Sequence, residues 1–212
     1  MEELKKAYYA TIAQRMIPNL AKRQMEAYYC EDERSARDKI LSLIPQGASI
    51  GWGGSQTLKQ IGVMDALHTG SYQLLDRSAA TNSAERKSVY SQIESADVFL
   101  TGTNAITRDG VLLNMDGRSD RVCFLCHGPR SVIIAVGMNK VVATVEEGLN
   151  RIWNVAGPLN AMKNQRKTPC AVTGVCVQCQ SEDCVCSNLV ITRRSAFKNR
   201  LKIVLIGADL GF

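Results

Sequence analysis

The sequence predicts an α/β fold, an open sheet covered on both faces by helices. Three observations predict it. Short strand-like runs, "ASIGWGG" (48–54), "DVFLTG" (97–102) and "RSVIIAVG" (130–137), alternate with segments of helical apolar spacing. Each of these runs ends in glycine or in a polar loop, as strands of a covered sheet do. No repeat, low-complexity tract or linker interrupts the 212 residues, a length that buries a core as one domain.

In chain order, residues 3–16 and 33–44 have helical spacing, with Leu41 and Ile44 on one face of the second. Residues 1–46 thus form an N-terminal helical subregion. "ASIGWGG" is a strand running into a glycine turn, and 55–70 follows as a helix with Ser55 near its start as a cap. "YQLLD" (72–76) is strand-like, 88–96 helical, and 97–102 strand. The glycines and Asp/Asn of "RDGVLLNMDG" (108–117) predict a hairpin or extended loop. "RSVIIAVG" has the composition of a buried strand. Residues 144–162 place Val145, Leu149, Ile152, Trp153 and Ala156 on one helical face. The runs 188–194 and 201–207 close the chain as two strands, expected as an antiparallel pair.

No apolar run reaches membrane-spanning length, and the mixed-charge start lacks the apolar core of a secretory signal. The expected location is the cytoplasm, where disulfides rarely persist. That bears on "KTPCAVTGVCVQCQSEDCVCSN" (167–188), which holds five of the eight cysteines in the pattern C-x5-C-x2-C-x4-C-x-C. The central C-x2-C is a chelate common to zinc and iron–sulfur sites, and Gly174 permits a tight turn ahead of Cys176. Ferredoxin spacings do not match, so local geometry leaves the metal open; a disulfide staple is the plain alternative. Eight Lys/Arg lie between Ala161 and Lys202 against Glu182 and Asp183, an excess equal to the +6 of the whole chain. Such cations would stabilise a negative thiolate site. A nucleic-acid patch is the competing account, disfavoured because no aromatic residue lies between Trp153 and Phe197 for base stacking.

Three loops after strands supply polar groups. "GWGGSQT" (51–57) offers Gly53, Gly54, Ser55 and Thr57 to an anion, although its spacing is neither a Walker loop nor a dinucleotide fingerprint. "TGTNAITRDG" (101–110) offers Asn104, Thr107, Arg108 and Asp109, and "GMNK" (137–140) offers Asn139 and Lys140, the natural partner of an anion. Ligands favour the carboxyl ends of strands in such sheets. The plain alternative is that these residues only form turns. "CFLCH" (123–127) matches covalent haem attachment, but that chemistry is expected outside the cytoplasm. Cys123 and Cys126 are expected as buried small hydrophobes, with His127 capping the helix end, and Cys30 as a core residue. With only His68 and His127, His-dependent triads and His-rich zinc sites lack support.

In order from Ile50 to the C-terminal "LIGADLGF", the stretches "GWGGSQTLKQIG", "TGTNAITRDG", "VGMNK", "NVAGPLNAMK" and "KTPCAVTGVCVQC" resemble the lactate-utilisation (LUD) domain family. The resemblance implies a single domain of the NagB/RpiA/CoA-transferase-like type, with a cysteine-rich loop at 168–187. It implies tail ligands Cys170, Cys176, Cys179 and Cys186, with Cys184 as a substitute or a free thiol, and a glycine–serine loop at Gly53, Gly54 and Ser55. Some members serve L-lactate oxidation with iron–sulfur partner proteins. No glutamate can be matched to the catalytic one of related CoA-transferases, which argues against covalent CoA transfer. The expected function is a cytoplasmic redox-associated protein that binds an iron–sulfur cluster, or zinc, through the tail and an anionic metabolite in the cleft. An iron–sulfur redox partner and a homodimer are the expected protein contacts, with no membrane span. The alternative is an isomerase or transferase acting on a phosphorylated or carboxylated metabolite, with a structural zinc.

Overall fold

The computed structural model describes residues 1–212. Six parallel strands form its centre: β1 (Glu26–Cys30), β2 (Ser49–Trp52), β3 (Gln73–Leu75), β4 (Val98–Gly102), β7 (Ser131–Gly137) and β10 (Leu201–Ile206), in the order β1-β10-β7-β4-β2-β3. A second sheet, in the order β8-β5-β6-β9, contains β5 (Ala105–Thr107), β6 (Leu112–Asp116), β8 (Val141–Val142) and β9 (Asn188–Thr192). The expected open α/β sheet is present. β7 is buried at every position after its first residue, as a strand flanked on both faces must be.

Alternate residues of the central strands face opposite layers. Phe99, Val132, Ile134 and Ile203 pack with Ala13, Met16 and Leu20 of α1 (Glu2–Lys22) and with Ile93 of α5 (Ser83–Glu94). Val98, Leu100, Ile133 and Val204 pack with Ala36 and Ile40 of α2 (Glu33–Ser42), Leu58 of α3 (Gln56–Gln60) and Leu67 of α4 (Val63–Thr69). The second sheet lays Ala105 and Leu113 on α7 (Val145–Arg151) and Ile152. No helix is long and apolar enough to cross a membrane.

Four expectations are corrected. The closing strands do not pair: β9 runs antiparallel to β6 at a sheet edge, while β10 enters the central sheet between β1 and β7. Burial explains the separation, because β9 exposes Leu189 and Ile191 whereas β10 is buried almost throughout. The connection is pinned to the α1–β1 turn by Ser195 N to Arg23 O and Asn199 N to Gln24 O, both 2.9 Å. β1 has no sequence signature, since only Cys30 of its five residues is fully buried. The single helix expected over 144–162 is broken by a π-turn at Ile152–Ala156 before α8 (Gly157–Lys163); Pro158 lacks the N–H that would continue the ladder. Cys123 and Cys126 lie on the exposed side of α6 (Val122–Cys126), whose buried residues are Val122, Phe124 and Leu125. The His127 ring is likewise exposed, and only its backbone N–H closes the helix, on Cys123 O at 2.8 Å. Cys30 is buried as expected.

Gly51 in β2 lies against α5: a Cβ there would sit 2.7 Å from Cγ1 and 2.8 Å from Cγ2 of the fully buried Ile93. Gly51→Ala is therefore expected to cost about 1–3 kcal/mol in urea denaturation, and the double change with Ile93→Val to recover part of it.

Candidate functional site

β2, β4 and β7 are neighbours, so the three polar loops emerge along one edge. β2 continues outward to β3, and β4 leads the other way, toward β7; the crevice between β2 and β4 is thus a topological switch point. An inner cleft of about 100 Å³ lies there, lined among others by Ser55, Gly102, Asn104, Arg121, Lys140 and Lys163. It shares Gly54, Asp116, Arg121, Asn160 and Lys163 with an outer cleft of about 380 Å³, so the two form one hollow.

Ser55 caps α3 by accepting from Leu58 N at 3.3 Å, which leaves its hydroxyl hydrogen to donate. A Cβ on Gly102 would stand 3.0 Å from Ser55 Oγ and 3.9 Å from Lys140 Nζ. The two groups therefore flank one point, kept open by the missing side chain. Lys140 is only 4% exposed. Its Nζ donates to Thr57 Oγ1 at 3.0 Å, and none of the ion pairs includes it. Burial, reinforced by the charges of Arg151 and Arg121, pulls its amine down to about 7.

The remaining expected residues divide. Gly54, Ser55, Asn104 and Lys140 line the inner cleft. Thr57 orients the Lys140 amine. Gly53 makes room for Arg121, whose Cγ would lie 2.9 Å from a Cβ there. Asn139 braces the C-terminal segment, its Oδ1 accepting from Leu210 N at 3.1 Å. Asp109 is a correction: it faces α1, ion-paired with Arg23, and accepts from Thr107 in the turn that closes β5 onto β6. Arg108 faces α1 as well, its carbonyl accepting from Asn19 at 3.3 Å.

Sequence reasoning missed Arg121 and Lys163. The Arg121 guanidinium donates to Gly102 O (3.0 Å), Asn114 Oδ1 (2.5 Å), Asn104 Oδ1 (2.9 Å) and Asp116 Oδ1 (2.8 Å). Asp116 Oδ2 in turn accepts the N–H groups of Arg121 (2.9 Å) and Val122 (3.0 Å) at the start of α6. An acidic residue followed by a short helix was the only signal, and no apolar period accompanied it. Lys163 ends α8 and lies 5.6 Å from the Phe212 ring centroid at the cleft.

All five tail cysteines border one cavity. Cys170, Cys176, Cys179, Cys184 and Cys186 line one cavity of about 20 Å³ whose other walls include Met115, Ile152, Trp153 and Pro158. The π-turn supplies two of those walls, and Gly174, at φ 75°, ends α9 (Pro169–Thr173) and turns the chain back. Burial, then neighbouring Cys184, Cys176 and Cys179, pushes the Cys186 thiol up to about 11. The N–H of Cys186 and the Ser187 hydroxyl lower Cys184. None of the cysteines is in a disulfide. A soft, four-or-more thiol set within apolar walls fits a thiophilic metal or cluster by chemistry. No three His, Cys, Asp or Glu side chains lie at metal-ligand spacing from one another.

Two of the eight flanking cations are committed elsewhere. Arg200 binds the carbonyls of Phe124, Leu125 and Pro129, and Lys202 pairs with Glu26. Near the loop, Arg166 pairs with Asp183 at 2.9 Å, and Asp183 also accepts Lys167 N at 2.7 Å. Cys184 and Val185 line both the thiol cavity and the outer cleft, so one loop walls both.

Residues 13–206 match the LUD domain family. The chain belongs to that family. It is related to lactate utilisation through it. A crystal structure of a DUF162 family protein from Deinococcus radiodurans has the same fold, with a TM-score of 0.56 at 13% identity, over 93% of this chain and 98% of that one. No curated protein matches.

In this LUD domain, Arg121→Met strands Asp116, Asn114 and the Gly102 carbonyl; the expected loss is about 3–5 kcal/mol in chemical denaturation. Lys140 makes the opposite prediction. Between about pH 7 and 10.5 the unfolded chain holds a proton that the folded amine releases, so wild-type stability rises with pH through that window. Below it the full cost is present. Lys140→Met should accordingly be more stable than wild type at pH 7, on the order of a few kcal/mol, with the gap closing as pH approaches 10. Denaturation curves across that range check both the sign and the trend.

Proposed function

We propose that this LUD domain binds a small carboxylate of the hydroxy- or oxo-acid class in the inner cleft, and an iron–sulfur cluster through the tail thiols. It would thereby act as a redox-associated component of a lactate-utilising system in a reducing, cytoplasmic compartment. The carrying observation is Lys140: an amine buried to 4% exposure, without a carboxylate partner, on a cleft that also presents Ser55 and Lys163. A buried cation without a counter-charge is costly. A bound carboxylate would supply that charge and favour the protonated amine, while Ser55 donates its hydroxyl. Family membership supports the acid class, and five free cysteines bordering one cavity support the cluster.

Cys170, Cys176, Cys179 and Cys186 would hold the cluster, with Cys184 as the fifth donor available. When bound, the cluster supplies one-electron transfer. The chain's own contribution is to keep the thiols within apolar walls of Ile152, Trp153 and Pro158 and to separate them from the cleft by Cys184 and Val185. A partner protein carrying its own iron–sulfur centres would exchange the electrons.

The test uses protein purified without oxygen. Iron and sulfide are expected, and are lost together when Cys176 and Cys179 become serine. L-Lactate and pyruvate are expected to raise the melting temperature, less so as pH rises through 7 and the amine loses its proton. Zinc in place of iron would overturn the redox assignment, and indifference to both acids would overturn the ligand.

A further inference from the structure

The inner cleft carries more than an anion-binding charge. Arg151 and Arg121 both act on the Lys140 amine electrostatically, and both are held in place by bonds to the protein. Arg151 donates to Asn104 O at 2.6 Å and Asn139 O at 3.3 Å. Arg121 donates to Gly102 O, Asn114, Asn104 and Asp116. Every guanidinium nitrogen of Arg121 is committed in this way, and Arg151 is anchored through Nε and one terminal nitrogen. They are fixed positive charges set against a third, and that arrangement favours a neutral amine with an available lone pair. Thr57 accepts one N–H of Nζ at 3.0 Å and fixes its direction. Ser55 Oγ borders the same gap left by Gly102, where a Cβ would lie 3.0 Å from the hydroxyl, 3.4 Å from the Ala135 carbonyl oxygen and 3.9 Å from the amine. That gap suits a small planar carbon centre, with a hydroxyl donor and an amine both within reach of it. At the cleft wall Lys163 supplies the unpaired cation for a neighbouring carboxylate.

We propose that Lys140 Nζ is a nucleophile that condenses with the carbonyl carbon of a small 2-oxo carboxylate to form a protein-bound imine. The proposal rests on the reading that this cleft binds a small carboxylate. The amine lone pair forms the N–C bond, and the carbonyl π pair moves to oxygen, which takes a proton while held by Ser55. The resulting carbinolamine then expels that oxygen as water as the C=N bond forms. One water leaves, one proton is taken up and no oxidant or reductant is consumed. The iminium product restores a positive charge at Nζ beside the substrate carboxylate, an arrangement the free amine lacks. A 2-hydroxy acid would occupy the same cleft without reacting, because it has no carbonyl.

The test treats the full chain with pyruvate and sodium cyanoborohydride and maps lysine adducts by peptide mass spectrometry; pyruvate binding is measured in parallel by calorimetry without the reductant. The expected result is a reduced pyruvate adduct at Lys140 in large excess over exposed lysines such as Lys5 and Lys6, none with L-lactate, and its loss in Lys140→Arg, which keeps the charge. Ser55→Ala is expected to slow the trapping while leaving the Lys140 assignment unchanged. Pyruvate binding without an adduct at Lys140, or adducts spread over the exposed lysines alone, overturns the nucleophile and leaves the carboxylate site standing. Neither binding nor adduct overturns both.

Discussion

One guanidinium joins the two sheets. Arg121 reaches the end of β4 in the parallel sheet through Gly102 O and the middle of β6 in the second sheet through Asn114 and Asp116, and it holds Asn104 between them. No hydrogen-bonded ladder connects the sheets, so this planar, multiply donating group does at one point what a strand pair does elsewhere. Gly53 is glycine because the Arg121 stem passes over it. Asp116 is doubly used, neutralising the guanidinium and capping the turn from which it projects. The inner cleft exists where this network ends.

The cleft floor is built against the protein's own stability. A lysine at 4% exposure whose only bond is to a hydroxyl, beside two arginines, spends folding free energy that a methionine would not. A buried, perturbed amine of this kind on a cleft marks a candidate ligand site. The neighbouring backbone is arranged accordingly: Gly102 leaves room in front of the amine and Gly211, whose Cβ would fall 2.9 Å from Nζ, leaves room behind it.

The thiol cavity and the cleft share a wall rather than a space. Cys184 and Val185 face both, and Met115 of β6 lines both the thiol cavity and the inner cleft. A Cβ on Gly117 would lie 3.1 Å from the Val185 Cα, so the tail loop packs closely over the β6–α6 turn that also carries Asp116. Changes in the cysteine loop therefore press on the same turn that positions Arg121.

The sequence by itself determined the α/β layering, the three loops after β2, β4 and β7, the amine at Lys140 and the cluster of tail thiols. These are local: strand composition, a glycine after a strand and cysteine spacing depend on residues within a few positions. Tertiary structure alone decided the rest. β1 is an edge strand whose half-exposed residues leave no period to read; β9 was legible as a strand but not its pairing with β6, and β10 left its expected partner because a strand buried on both faces needs two neighbours. Asp109 left the site for Arg23, an ion pair between residues far apart in sequence. Arg121 entered it from the start of a short helix, because the value of a buried guanidinium lies in acceptors supplied by β4, the loop after it and β6, and no local pattern records where those acceptors will meet.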